Sequence, residues 1–162
     1  MEETLKKIIK ILTDKHKSIS TMESCTGGGF ANAITNIEGA SEVLKFSAIT
    51  YSNEYKIKMG VDANVIAKYS VYSLETAKEM SRNISLYTNS NYGIGITGKL
   101  NKEDPHNLYG DNNIVYISIY DKDNNQYYTY NIKVSSKTRK ENKDEVISFI
   151  SNVFLKVIKW KK

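Results

Sequence analysis

Apolar residues recur along the chain at two spacings, and the change from one to the other predicts most of its elements. Leu5, Ile8, Ile9 and Leu12 lie three and four apart, which puts them on one face of a helix over 2–15. The β-prone stretch "SISTME" at 18–23 is a short strand, followed by the bend "SCTGGG" and a helix from near Thr26 to about Thr35. After a turn at 36–41, "EVLKFSAITYS" is rich in β-formers, with a start that also suits a helix. "NEYKIKMG" is a turn or short helix closed by Gly60, and "DANVIAKYS" a short helix with Asp62 as N-cap. A further helix opens at Ser73, carries Glu75 where a carboxylate suits the helix dipole, and buries Ala77, Met80 and Ile84.

"NYGIGITG" at 91–98 alternates Ile with Gly and predicts a buried strand whose glycines let another backbone come close. A polar loop at 99–111 holds the only Pro, and "NNIVYISIYD" and "NQYYTYNIKV" form a hairpin. Val146, Ile147, Ile150, Val153, Phe154 and Val157 define a long closing helix. Strands alternating with helices, then a hairpin and a helix, predict an α/β fold. The expectation is a single three-layer α/β/α domain over 1–162, with a mixed, mostly parallel sheet.

Composition narrows the function classes. The 162 residues, 40% hydrophobic and 25% charged, suffice for one domain with a real core. No apolar run approaches the roughly 20 residues of a bilayer span, and the first segment is too interrupted for a signal peptide. A cytoplasmic protein with no membrane partner is expected. One Cys excludes an intramolecular disulfide, and two distant His residues argue against a zinc site, so no metal or cofactor is expected. A net charge of +5 and a pI near 9.1 suit an anionic partner such as a phosphorylated small molecule. The lysines are spread out, with one dense spot in "KVIKWKK", rather than interleaved with aromatics on one element, so no nucleic-acid partner is expected. The helical faces are compatible with a homodimer.

The bend at 24–29 is where chemistry fits. The first N–H groups of a helix lack internal partners and lie at the positive end of its dipole, where an oxyanion or phosphate is stabilised. Ser24, just before that end, is placed to attack a carbonyl whose oxygen sits among those N–H groups. A glycine-rich turn with a capping serine shows the same pattern, and spacing leaves both open. A nucleophilic serine needs a base. His16, at a charged helix end, and His106, in a polar loop beside Asp104, both read as exposed. A desolvated lysine is the other option, and the residues alone do not choose one.

"ESCTGGGFANAITNIEGAS" and "ITYSNEYKIKMGV", about thirty residues apart, together resemble the CinA C-terminal domain family, whose members include nicotinamide-nucleotide amidohydrolases. The resemblance extends to the helix begun at Ser73 and the "GITG" strand end. It implies hydrolysis of the carboxamide of nicotinamide mononucleotide, a small-molecule nucleotide substrate, to nicotinate mononucleotide and ammonia. It further implies that Ser24 is the nucleophile and that Tyr51 and Lys56 handle protons. Substrate contacts would come from Cys25, Thr26, Gly27 and Gly28 in the bend, Asn53 in the "YSN" segment, and Thr97 and Gly98 in a second loop. By itself Cys25 reads as a small buried neighbour, and Glu23 as orienting the bend or making a structural hydrogen bond. The expectation is a stand-alone form, without the nucleotide-hydrolase domain that often precedes this one.

The chain departs from the family after "GITG". An Ala-Gly-Pro, glycine-rich loop is usual there, whereas this chain has "KLNKEDPHNLYGD", making Lys99 and Lys102 candidates for phosphate contacts. The altered loop keeps open a pyridine-nucleotide-binding sensor without turnover. The basic pI and the family's name keep open a nucleic-acid-associated, competence-type protein.

Overall fold

The apolar stripe of the first helix, α1 (Glu2–Asp14), buries Leu5, Ile8, Ile9 and Leu12, the four residues its spacing singles out. The computed structural model of the chain describes residues 1–135 and 138–160, so the last two lysines of the basic C-terminal stretch lie outside the described residues. The remaining elements, in chain order, are β1 (Ile19–Glu23), α2 (Gly29–Thr35), β2 (Leu44–Ile49), α3 (Asn53–Lys58), α4 (Ala63–Tyr69), α5 (Leu74–Thr88), β3 (Tyr92–Gly98), β4 (Ile114–Asp121), β5 (Gln126–Lys133) and α6 (Arg139–Lys159).

The strands form one five-stranded sheet in the order β2-β1-β3-β4-β5. β1 is parallel to β2 and β3, while β4 is antiparallel to β3 and β5, so β4 alone runs against the other four. The sheet is therefore mixed and mostly parallel in strand direction. Side chains from α1, α2 and α6 build the larger apolar core on one face, around Leu12, Phe30, Ile94, Ile96, Ile150 and Phe154. On the other face Met80 and Ile84 of α5 pack with Met22 and Val61. Helices on both faces of the sheet make the three expected layers.

The alternation in β3 has a direct structural reading. Ile94 and Ile96 belong to the larger core, while Gly93 and Gly95 face α5. A Cβ on Gly93 would lie 1.9 Å from the backbone oxygen of Ser81, so α5 rests on the bare strand backbone. Nearby, Ser81 and Ser118 share a buried hydroxyl hydrogen bond of 2.8 Å, which satisfies two polar groups in this tight layer.

Two boundaries differ from the sequence expectation. Helix α2 begins at Gly29 rather than near Thr26, because Gly27 and Gly28 take left-handed backbone angles, φ +58° and +85°, that hold the chain in a turn. β2 is confined to Leu44–Ile49, preceded by a 3₁₀ turn at Ala40–Glu42, so the ambiguous start of that segment is helical. Other boundaries follow their caps. Ser52, Asp62, Ser73 and Thr138 each accept an N–H in the first turn of α3, α4, α5 and α6. Thr138 and Glu141 form a reciprocal capping box. Thr138→Ala should therefore cost about 1 kcal/mol, read as a lower urea midpoint at unchanged slope. Among the described residues no helix is long and apolar enough to cross a membrane.

Candidate active site

The order β2-β1-β3 means the chain leaves β1 toward one side and later returns on the other. In open α/β sheets the crevice at the carboxyl ends of strands flanking such a reversal is the usual binding place. Ser24 directly follows β1, Thr50 directly follows β2, and Gly98 ends β3. Backbone hydrogen bonds fix these ends side by side: Ser24 N–H donates to the Ile96 carbonyl at 3.0 Å, and Thr50 N–H to the Glu23 carbonyl at 2.9 Å.

Lys56 reaches this point from α3. The Ser52 cap starts the helix, and Lys56, one turn later, turns its side chain inward to 1% exposure. Its Nζ donates to the Thr50 carbonyl at 2.7 Å and to Ser24 Oγ at 3.0 Å. Burial disfavours the ammonium form and lowers the Lys56 pKa to about 8, against a smaller opposing influence from Cys25. The structure thus joins the two residues that the sequence offered as nucleophile and base. It selects one lysine among many on geometry.

The bend is held by an acid rather than left open for one. Glu23 is fully buried, and its carboxylate accepts the N–H groups of Phe30 at 3.0 Å and Ala31 at 2.9 Å. It also accepts the hydroxyls of Thr26 at 2.7 Å and Thr21 at 3.3 Å. The N-terminal N–H groups of α2, expected to hold a substrate oxygen, are occupied by the chain's own carboxylate. Glu23 both orients the bend and supplies the structural hydrogen bonds.

A cleft of two lobes opens over the dyad, both lined by Ser24, Tyr51, Tyr72 and Asp104. One lobe, of about 420 Å³, adds Asn53, Lys56, Val71 and Asn107. The other, of about 370 Å³, adds Gly98, Lys99, Lys102 and Arg139. Tyr51 is 63% exposed, and its hydroxyl accepts from the Arg139 guanidinium at 3.3 Å. It forms a wall of the cleft and makes no hydrogen bond to Ser24 or Lys56. Asn53 donates to the Asn107 side chain at 3.2 Å, tying α3 to the altered loop.

Several residues expected at the substrate stand elsewhere. Thr97 is fully buried, and its hydroxyl is consumed by the Val71 carbonyl at 2.9 Å, so it fastens β3 to the segment before α5. Cys25 points into the main core, and burial pushes its thiol up to about 12, leaving it neutral. The side chain of Thr26 is spent on Glu23, and Thr26, Gly27 and Gly28 line a separate cavity of about 600 Å³ against α1 and α6. Of the two lysines offered for phosphate, Lys99 is buried and donates to the Gly110 carbonyl and Asn112 at 3.4 and 3.3 Å, whereas Lys102 is exposed.

The structure adds Tyr72, Asp104 and Arg139, which sequence reasoning passed over as site residues. Tyr72 donates to Asp104 at 2.5 Å across 32 positions of chain, and Arg139 meets Tyr51 across 88. Partial burial works against Asp104's charge, but hydrogen bonds from Tyr72, Asn107 and the His106 N–H outweigh it and lower its pKa to about 2. Burial, reinforced by Asp104, pushes the Tyr72 hydroxyl well above its ordinary range. No local pattern marks these three; only the loop's departure from the family pattern drew attention to the region of Asp104.

Known proteins give the same picture. The family model for the CinA C-terminal domain matches residues 1–158. The chain is 36% identical over 138 residues to a CinA-like protein of Endomicrobium trichonymphae, covering 82% of this chain and 30% of that protein. It is 38% identical over 122 residues to a CinA-like protein of Flavobacterium psychrophilum, covering 73% and 28%. It thus spans less than a third of the length of these curated relatives. The crystal structure of the competence damage-inducible protein A of Klebsiella pneumoniae superposes with a TM-score of 0.91, at 18% identity and 99% and 98% coverage, a likeness of fold. That of the competence/damage inducible protein CihA of Agrobacterium tumefaciens gives 0.85 at 25% identity, covering 95% and 93%. Motif, fold and a match over nearly all of its length agree: the chain belongs to the CinA C-terminal domain family.

Proposed function

We propose that this chain is a serine amidohydrolase that converts nicotinamide mononucleotide to nicotinate mononucleotide and ammonia. The observation that carries this reading is the buried Lys56 amine, pinned by the Thr50 carbonyl and 3.0 Å from Ser24 Oγ. A lysine that loses its proton near neutrality and already touches a serine is a general base for that serine.

Neutral Lys56 takes the Ser24 proton directly as Oγ bonds to the amide carbon. The tetrahedral oxygen is steadied by the N–H groups of Cys25 and Thr26, which donate to no backbone carbonyl among the described residues. Lys56 then passes its proton to the leaving nitrogen, releasing ammonia, and a water that Lys56 deprotonates hydrolyses the acyl-enzyme. The lobe bearing Lys102 and Arg139 suits a phosphate, and the aromatic lobe beside Lys56 suits the ring. The ring's positive charge makes this carbonyl more electrophilic than an ordinary amide's.

Ammonia release from nicotinamide mononucleotide by the purified protein tests the reading, followed across about pH 6 to 9. The base must be unprotonated, so kcat/KM should climb roughly tenfold per pH unit below the Lys56 pKa of about 8 and level off above it. A flat profile would remove Lys56 as the base. Binding without ammonia release would turn the reading to a pyridine-nucleotide sensor, the alternative raised by the altered loop.

A further inference from the structure

The loop at 99–111 brings a negative charge into a cleft whose other charged groups are mostly basic. Lys56, Lys99, Lys102 and Arg139 line one lobe or the other, against Glu103 and Asp104. Only Asp104 of the two acids reaches the lobe shared with Lys56. It is held there by the chain: Oδ1 accepts the His106 N–H at 3.0 Å, and Oδ2 accepts Tyr72 Oη at 2.5 Å and Asn107 Nδ2 at 3.0 Å. All its hydrogen-bonding partners on the page are neutral donors, so its charge is oriented without being cancelled by an ion pair. The faces of Tyr51 and Tyr72 border the same lobe, while Lys99, 4.9 Å from the centre of the Tyr72 ring, lines only the other.

An ionised carboxylate beside two aromatic rings attracts a flat cation by charge and by ring quadrupole, and does nothing comparable for a neutral ring. We propose that Asp104, clamped by Tyr72, His106 and Asn107, is a specificity residue that selects a cationic aromatic ring, so that the site takes N-alkylated pyridinium carboxamides in preference to neutral aromatic amides. This rests on the amidohydrolase reading for which ring is bound, and it assigns to the altered loop a task that the unmodified bend cannot perform. Phosphate recognition stays in the other lobe, so the cleft is divided by charge: acid toward the ring, base toward the phosphate.

Binding measures this better than turnover, because ring charge also changes how reactive the amide is. The Ser24→Ala protein would be titrated by calorimetry with nicotinamide mononucleotide and with its reduced dihydropyridine form, which keeps ribose, phosphate and carboxamide but has an uncharged ring. The oxidised form should bind about tenfold tighter, and Asp104→Asn in the same background should erase most of that preference. Asp104→Glu should restore part of it, and Tyr72→Phe, which keeps the carboxylate charge, should lower it less than Asp104→Asn does. Equal affinity for the two rings, or a preference that survives Asp104→Asn, would overturn the assignment while leaving the amidohydrolase reading in place. Failure to bind either form would overturn both.

Discussion

Ser24→Ala should reduce ammonia release from nicotinamide mononucleotide by about a thousandfold or more, with the fold retained. The change removes one hydroxyl from a nearly buried site, and its only listed loss is the Lys56 contact, since Lys56 Nζ keeps the Thr50 carbonyl. Lys56→Met should cut activity as deeply. Methionine fills a similar slot without a charge, and the one group left short of a partner is the Thr50 carbonyl. Lys56→Arg should not rescue it, because a guanidinium stays protonated and cannot accept the serine proton. Groups that act as one unit are not additive, so the double variant should be no slower than either single one. The measurement is single-turnover ammonia release, with circular dichroism to verify the fold. Residual activity near native in Ser24→Ala would mean that water attacks the amide without a covalent intermediate.

The second large effect falls on stability. Glu23→Ala leaves the N–H groups of Phe30 and Ala31 and the hydroxyls of Thr21 and Thr26 without their shared acceptor in a fully buried place. Each orphaned donor costs roughly 1–3 kcal/mol, and partial relaxation of the bend recovers some of it, so a net loss of about 3–5 kcal/mol is expected. Glu23→Gln should fall between. It keeps one accepting oxygen but turns an amide N–H₂ toward donors that need an acceptor. Urea titration of the three proteins gives the answer. A loss below about 1 kcal/mol in Glu23→Ala would show that the bend is held by its glycines and strand contacts rather than by the carboxylate. Because Ser24 is the next residue, the same substitution should also lower kcat in whatever fraction remains folded.

Much of the fold is legible in the sequence because its signals are local. The three-and-four spacing on α1, the Ile–Gly alternation of β3 and the caps at Asp62 and Ser73 are each decided within a few residues. The bend was legible as a place for chemistry for the same reason. What it would hold was not: a strand end, glycines and a helix start look alike whether the helix accepts a substrate or an internal carboxylate. Glu23 decides that, through N–H groups seven and eight residues ahead that meet it only once the turn has closed. Thr97 shows the same limit. Its neighbour Gly98 lines the cleft, but one step along a strand reverses the side chain, and the Thr97 hydroxyl goes to Val71.

By itself, then, the sequence determined the succession of helices and strands, the position of Ser24 at a glycine bend, and, through its resemblance to a family, Lys56 as the serine's partner. The tertiary structure alone decided that Lys56 is buried against Ser24, that Tyr51 faces Arg139, and that Tyr72 and Asp104 wall the same cleft. The reason is physical. Hydrogen-bonding period and capping act over one turn or one strand, but a base is made by desolvation, and desolvation is set by the order in which distant strands pair.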